Sequence, residues 1–78
     1  MKYEVSEKML ASFAPGSLIF TTKYVVLDGK RLVPDTPIFI ISSDLYDDRY
    51  IYVELIVGFD IHGIYLSEDT LGYFCTHA

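Results

Sequence analysis

Residues 50–66 constrain this chain more than any other stretch. Ile51, Val53, Leu55 and Val57 fall on one face at period two, with Tyr52, Glu54 and Ile56 on the other. Asp60-Ile61-His62-Gly63 carries turn chemistry. Asp suits the first position of a type I turn, and Gly accepts positive φ at the fourth. Ile64 and Leu66 then resume the alternation, with Tyr65 opposite. The pattern predicts a β-hairpin that turns at 60–63. A hairpin this apolar does not stand alone in water, so the other segments must cover it.

The cover has to come from a short chain. Its 78 residues make a single domain with one small core. Half the residues are apolar, and seven Tyr and five Phe exclude a disordered composition. One cysteine, Cys75, forms no intramolecular disulfide, so stability has to come from packing or from a partner, and self-association stays open.

Before the hairpin, Ser6 is placed to N-cap a two-turn helix, with Glu7 in its first turn. Val5, Met9 and Phe13 recur on one side with Leu10 beside them. An N-terminal strand through Lys2-Tyr3-Glu4-Val5 is the weaker alternative. Pro15-Gly16 ends the segment, which divides the domain into a helix and turn (1–14) and a β region (15–77). Ser17–Thr22 reads as a strand. Tyr24–Leu27, Asp28-Gly29 and Lys30–Val33 read as a second hairpin with a type I′ turn. Pro34 and Pro37 break the pattern, and Ile38–Ser43 is a short strand, apolar on both faces and therefore central. Residues 42–49 form an acidic loop. Ser67–Thr70 has single-turn helical chemistry, and Leu71–Thr76 closes as a last strand.

That order, from Pro15 to Thr76, resembles the SH3-like small barrel. Residues 21–37 look like its long first loop, here a hairpin tipped by Asp28-Gly29. Residues 42–49 look like the second loop, Asp60–Gly63 like the tight distal turn, and Ser67–Thr70 like the 3₁₀ turn before the last strand. Phe13-Ala14-Pro15-Gly16 and Gly63-Ile64-Tyr65-Leu66 are similar to segments of small phage and bacterial barrel proteins. The resemblance implies an all-β, five- to six-stranded SH3-like barrel with a short N-terminal helix, and a phage-type accessory protein that modulates a host protein. It does not carry over the proline-rich ligand of peptide-binding SH3 domains. Asp44-Leu45-Tyr46-Asp47-Asp48 echoes their Ala-Leu-Tyr-Asp-Tyr motif too late in the chain, and Trp is absent.

The residues point away from catalysis. His62 and His77 are the two histidines. Asp60 with His62, and Cys75 with His77, could be drawn as a metal site, but neither pair has the usual ligand spacing. Cys75 lacks the positive surroundings that make a nucleophile. The adjacent acids Asp47-Asp48 and Glu68-Asp69 suit solvated loops better than a cleft with two different carboxyl environments. The expectation is no enzyme, no metal and no cofactor. Lys2 is followed at once by Glu4 and Glu7, with no apolar run of about 7–15 residues behind it, so a cytoplasmic setting is expected. A net charge of −5 disfavours nucleic acid as a partner, since phosphate contacts need Lys and Arg. Charge mimicry of nucleic acid is the least supported reading.

Tyrosine is the informative excess. Tyr46, Tyr50, Tyr52, Tyr65 and Tyr73 alternate with apolar residues, so several must face outward. They stand among Asp44, Asp47, Asp48 and Glu54, a setting that suits a protein partner with a basic rim. The expected contact surface joins the long loop (Tyr24, Arg31, Asp35) to the acidic loop (Tyr46, Asp47, Asp48, Arg49, Tyr50). A structural homo-oligomer is the alternative.

Overall fold

The computed structural model describes residues 4–75. His77 and the end of the last expected strand, Thr76, lie outside the described residues. Strands dominate, with one short helix.

Helix α1 (Glu4–Ser12) buries Met9 and, just past its end, Phe13, with Leu10 packed against the same core. Ser6 does not cap it. The residue lies inside the helix and is wholly buried, and its hydroxyl donates to the carbonyl of Asp47 and, at 3.3 Å, to that of Tyr50. A hydroxyl this deep needs an acceptor, and the loop after the fourth strand supplies it. Gly16, at φ 85°, then swings the chain into the sheet, its N–H donating to Ile40 at 2.8 Å.

The main sheet contains β1 (Leu18–Thr21), β4 (Pro37–Leu45), β5 (Tyr50–Val57), β6 (Asp60–Ser67) and β7 (Phe74–Cys75). Their order is β6-β5-β4-β1-β7, with every neighbouring pair antiparallel. Between β1 and β4 the chain makes a separate hairpin, β2 (Val25–Leu27) and β3 (Lys30–Leu32). Asp28 and Gly29 at its tip both have positive φ, 52° and 78°, which is the type I′ turn expected of Asp-Gly. A 3₁₀ segment, Glu68–Tyr73, precedes β7.

The core is the inner face of β5 (Ile51, Val53, Leu55, Val57) with Ile19, Ile38, Ile40, Leu66, Met9 and Phe13, joined by Leu27 and Leu32 from the separate hairpin. Thr21 is the buried polar anchor of that hairpin's return. Its hydroxyl donates to the Val33 carbonyl at 2.7 Å and accepts the Thr36 N–H at 2.9 Å. Asp35, held at φ 67°, donates its N–H to the Thr21 carbonyl at 2.8 Å.

Four further expectations are corrected. The central hairpin turns at Gly58-Phe59, with Val57 opposite Asp60, and residues 60–63 belong to β6. Gly58 at φ 62° occupies the first central position of a two-residue loop, where a type II′ turn requires glycine, and this outweighs the Asp60 signal. Strand β4 is central in order but covered on one face alone: Ile38 and Ile40 are buried, Phe39 and Ile41 exposed. It also runs on through Leu45, paired to β5 across a bulge between Ile40 and Ser42, so the acidic loop shortens to 46–49. Finally, the sheets are open among the described residues: β6 and β7 are edges of the larger one, and the β2–β3 hairpin stands apart.

Candidate functional site

With the core face of the large sheet filled, its outer face is set by the pleat. Cross-strand register places Asp44 opposite Tyr52, and Tyr52 opposite Tyr65. Tyr46, just past β4, brings its ring within 4.7 Å of that of Tyr65, edge to face; Tyr52 meets Tyr65 at 5.0 Å. Tyr65 is the middle ring of three. Tyr46 and Tyr65 remain 60% and 55% exposed, which leaves them free to cover a further surface.

Tyr46, Asp47, Tyr50 and Tyr65 line a shallow cleft of about 270 Å³. Its loop is built by Asp47. One carboxylate oxygen accepts the N–H groups of Arg49 at 2.9 Å and Tyr50 at 2.8 Å, an Asx turn, while the N–H groups of Tyr46 and Asp47 donate to the Tyr50 carbonyl. Asp47 is thereby committed to shaping the cleft. Asp48 and Arg49 are exposed at its lip, and Asp44 and Glu54 are exposed on the adjoining strands. Glu54 accepts the Ser42 hydroxyl at 2.9 Å.

On the other side of Tyr65 is a second hollow, of about 230 Å³, between the β2–β3 hairpin and β6. Residues 25–28 form one wall, 64–66 the other, and Thr70, Tyr73 and Phe74 the end. Two polar contacts close the end at the hairpin tips. Lys30 pairs with Asp60 at 2.7 Å, and His62 Nδ1 lies 2.9 Å from an Asp28 carboxylate oxygen. The Lys30 ammonium, by hydrogen bond and by charge, holds the Asp60 carboxyl below the usual range for Asp. The His62 side chain is 11% exposed, and its Nε2 is buried without a hydrogen-bond partner among the described residues.

The expected surface is therefore split. Tyr46, Asp47 and Tyr50 line the cleft, with Asp48 and Arg49 beside them. Tyr24 and Arg31 pair with each other on the separate hairpin, the guanidinium 4.6 Å from the ring centre, and Asp35 serves the turn at Thr21. None of these last three lines either hollow. Tyr65, the wall common to both, is absent from the expected set. A turn placed at 60–63 sets Val57 against Leu66 and so conceals the Tyr52–Tyr65 pair; the Gly58-Phe59 dipeptide was the available signal.

No described helix is long and apolar enough to cross a membrane, and no group of three or more His, Cys, Asp or Glu side chains among the described residues is arranged to hold a metal ion. Comparison with protein-family models, with curated proteins and with solved structures finds no match to this chain.

Proposed function

We propose that the chain is a small, non-catalytic protein-binding domain that receives a partner on the tyrosine-walled cleft of its outer sheet face. The observation that carries this reading is the ring cluster Tyr46–Tyr65–Tyr52, packed about Tyr65 with Tyr46 and Tyr65 exposed, and bordered by Asp44, Asp48 and Glu54. Rings already held against one another lose little freedom on binding, and such residues dominate interface energetics. The acids around them favour a partner with Lys or Arg at its rim, and the net charge of −5 steers such a partner in. A cleft this shallow, without a buried pair of titratable groups facing it, offers little to a substrate.

The strand order, with a hairpin excursion after the first strand and a 3₁₀ segment before the last, supports placing the domain with SH3-like small barrels whose sheet is opened out. A phage-type accessory role toward a host protein, in the cytoplasm, is the concrete version of this proposal. It rests on resemblance alone.

The test is affinity capture from the native cell with the wild-type chain and the Tyr65→Ala and Asp48→Lys variants. The expected result is a protein captured by the wild type and lost with both variants, while Tyr24→Ala retains it. Identical capture by wild type and Tyr65→Ala would remove the cleft from the interface.

A further inference from the structure

The outer face of the sheet has a second half that the tyrosine cleft does not use. Leu18 stands opposite Phe39, Phe39 opposite Ile56, and Ile56 opposite Ile61. These four residues make one unbroken apolar row across β1, β4, β5 and β6, at right angles to the strands. Phe20 and Pro37, the next outward pair along β1 and β4, extend it on the side away from the tyrosines. Phe59, at the hairpin tip beside Ile61, is fully exposed, at 103%. Among the described residues, no Asp, Glu, Lys or Arg occupies an outward position in this half. The acids Glu54 and Asp44 begin on the tyrosine side of the row.

An ordinary stable interface buries on the order of 800 Å² per partner. Phe59 alone presents on the order of 200 Å². Ile61, Leu18, Phe39 and Ile41 remain between 37% and 67% exposed, so with Phe59 they supply the apolar share of such an interface, a little over half its area, without any contribution from the tyrosines. Scattered single apolar residues on a surface need no explanation, but a contiguous patch of this extent does.

We propose that a second copy of this chain covers the apolar half, sheet face on sheet face. Charge selects the geometry. A two-fold axis parallel to the row, displaced to its Phe20–Pro37 side, lays the two apolar halves on one another and sends the Glu54 and Asp44 groups of each copy to opposite sides. An axis along the strands would instead stack acid-bearing halves on one another, which like charges oppose. The interface is isologous, so it closes at two chains. It leaves both tyrosine clefts open at opposite ends, so the dimer is bivalent for the partner proposed above, although dimerisation itself does not depend on that partner.

The experiment is sedimentation or light scattering from micromolar to near-millimolar concentration. The wild type is expected to reach twice the chain's 8.9 kDa and to stop there. Phe39→Asp and Ile61→Lys should weaken association at least tenfold. Phe59→Ser should weaken it without endangering the fold, because Phe59 supports no core contact. Tyr65→Ala should stay dimeric, which separates this interface from the cleft. A monomer at every concentration would overturn the proposal and hand the face to a different protein. A dimer indifferent to Phe39→Asp, Ile61→Lys and Phe59→Ser, or growth past two chains, would overturn it equally.

Discussion

Gly63 lies within β6 outside the left-handed region, and the Tyr52 ring occupies the space its Cβ would take. Its role is to let an aromatic ring lie flat across a neighbouring strand. Gly63→Ala should displace that ring, forfeiting an aromatic contact worth about 0.5–1.5 kcal/mol. It regains about 0.5–1 kcal/mol because alanine suits an extended strand better than glycine. The net stability change is expected to be under about 1 kcal/mol, while the near-ultraviolet circular dichroism of the tyrosines changes. With Tyr52→Ala already present, Gly63→Ala should become stabilising by about 0.5–1 kcal/mol, read from urea unfolding of the double-mutant cycle. Equal effects in both backgrounds would mean that the ring does not rest on Gly63. The tyrosine excess was legible in the sequence, but Tyr65's central place was not, because it depends on register.

At the scale of elements, the two hairpin tips meet through an exposed pair, Lys30 with Asp60, and through Asp28 with the largely buried His62. The Asp60 carboxyl titrates lower in the folded chain than in the unfolded one. Its contribution is therefore present above the unfolded value, about 3.9, and is lost as pH falls through the lower folded value. Because the pair is solvent-exposed, the effect on global stability should be small and should fade in high salt. The sensitive readout is amide exchange at residues 27–31. Asp60→Asn should raise exchange there at neutral pH and make little difference in strong acid; a gap that persists in strong acid would refute the assignment to this carboxylate. Elements were the most legible level. Asp28-Gly29 named its turn outright, and the faces of β5 and β6 emerged correctly even with the turn misplaced. Moving the turn from 60–63 to 58–59 shifts pairing by an even number of residues, and the pleat keeps its sides under such a shift. A fully apolar segment such as Ile38–Ile41 does not say whether both faces are covered, and here one is bare.

At the scale of the molecule, stability rests on a thin layer. Ile51, Val53 and Leu55 have no exposed surface, and a domain of this size has roughly 4–12 kcal/mol to lose. Leu55→Ala should cost about 2–5 kcal/mol, a large share of that margin, whereas Ile61→Ala on the outer face should leave unfolding of the single chain within about 1 kcal/mol of wild type. Thermal melts at a concentration too low for association would separate the two. A result in which both cost alike would mean that the filled and bare faces have been exchanged. An all-β chain with one core follows from alternation alone, but whether the sheet closes on itself depends on edge pairing far apart in sequence, which alternation does not encode.

That edge pairing has a kinetic side. β2–β3, β4–β5 and β5–β6 join neighbours in the chain and β1–β4 spans only the separate hairpin, but β7 reaches β1 through two rungs, Phe20 to Cys75 and Thr21 to Phe74. More than two thirds of the chain must be looped before either rung forms, and two rungs with one further backbone bond, from Thr22 to Tyr73, return little for that entropy. On refolding, this seam should knit last. In native chains it should be the first to fray, unlatching the Tyr73 ring from Lys23 while the rest of the sheet stays knit.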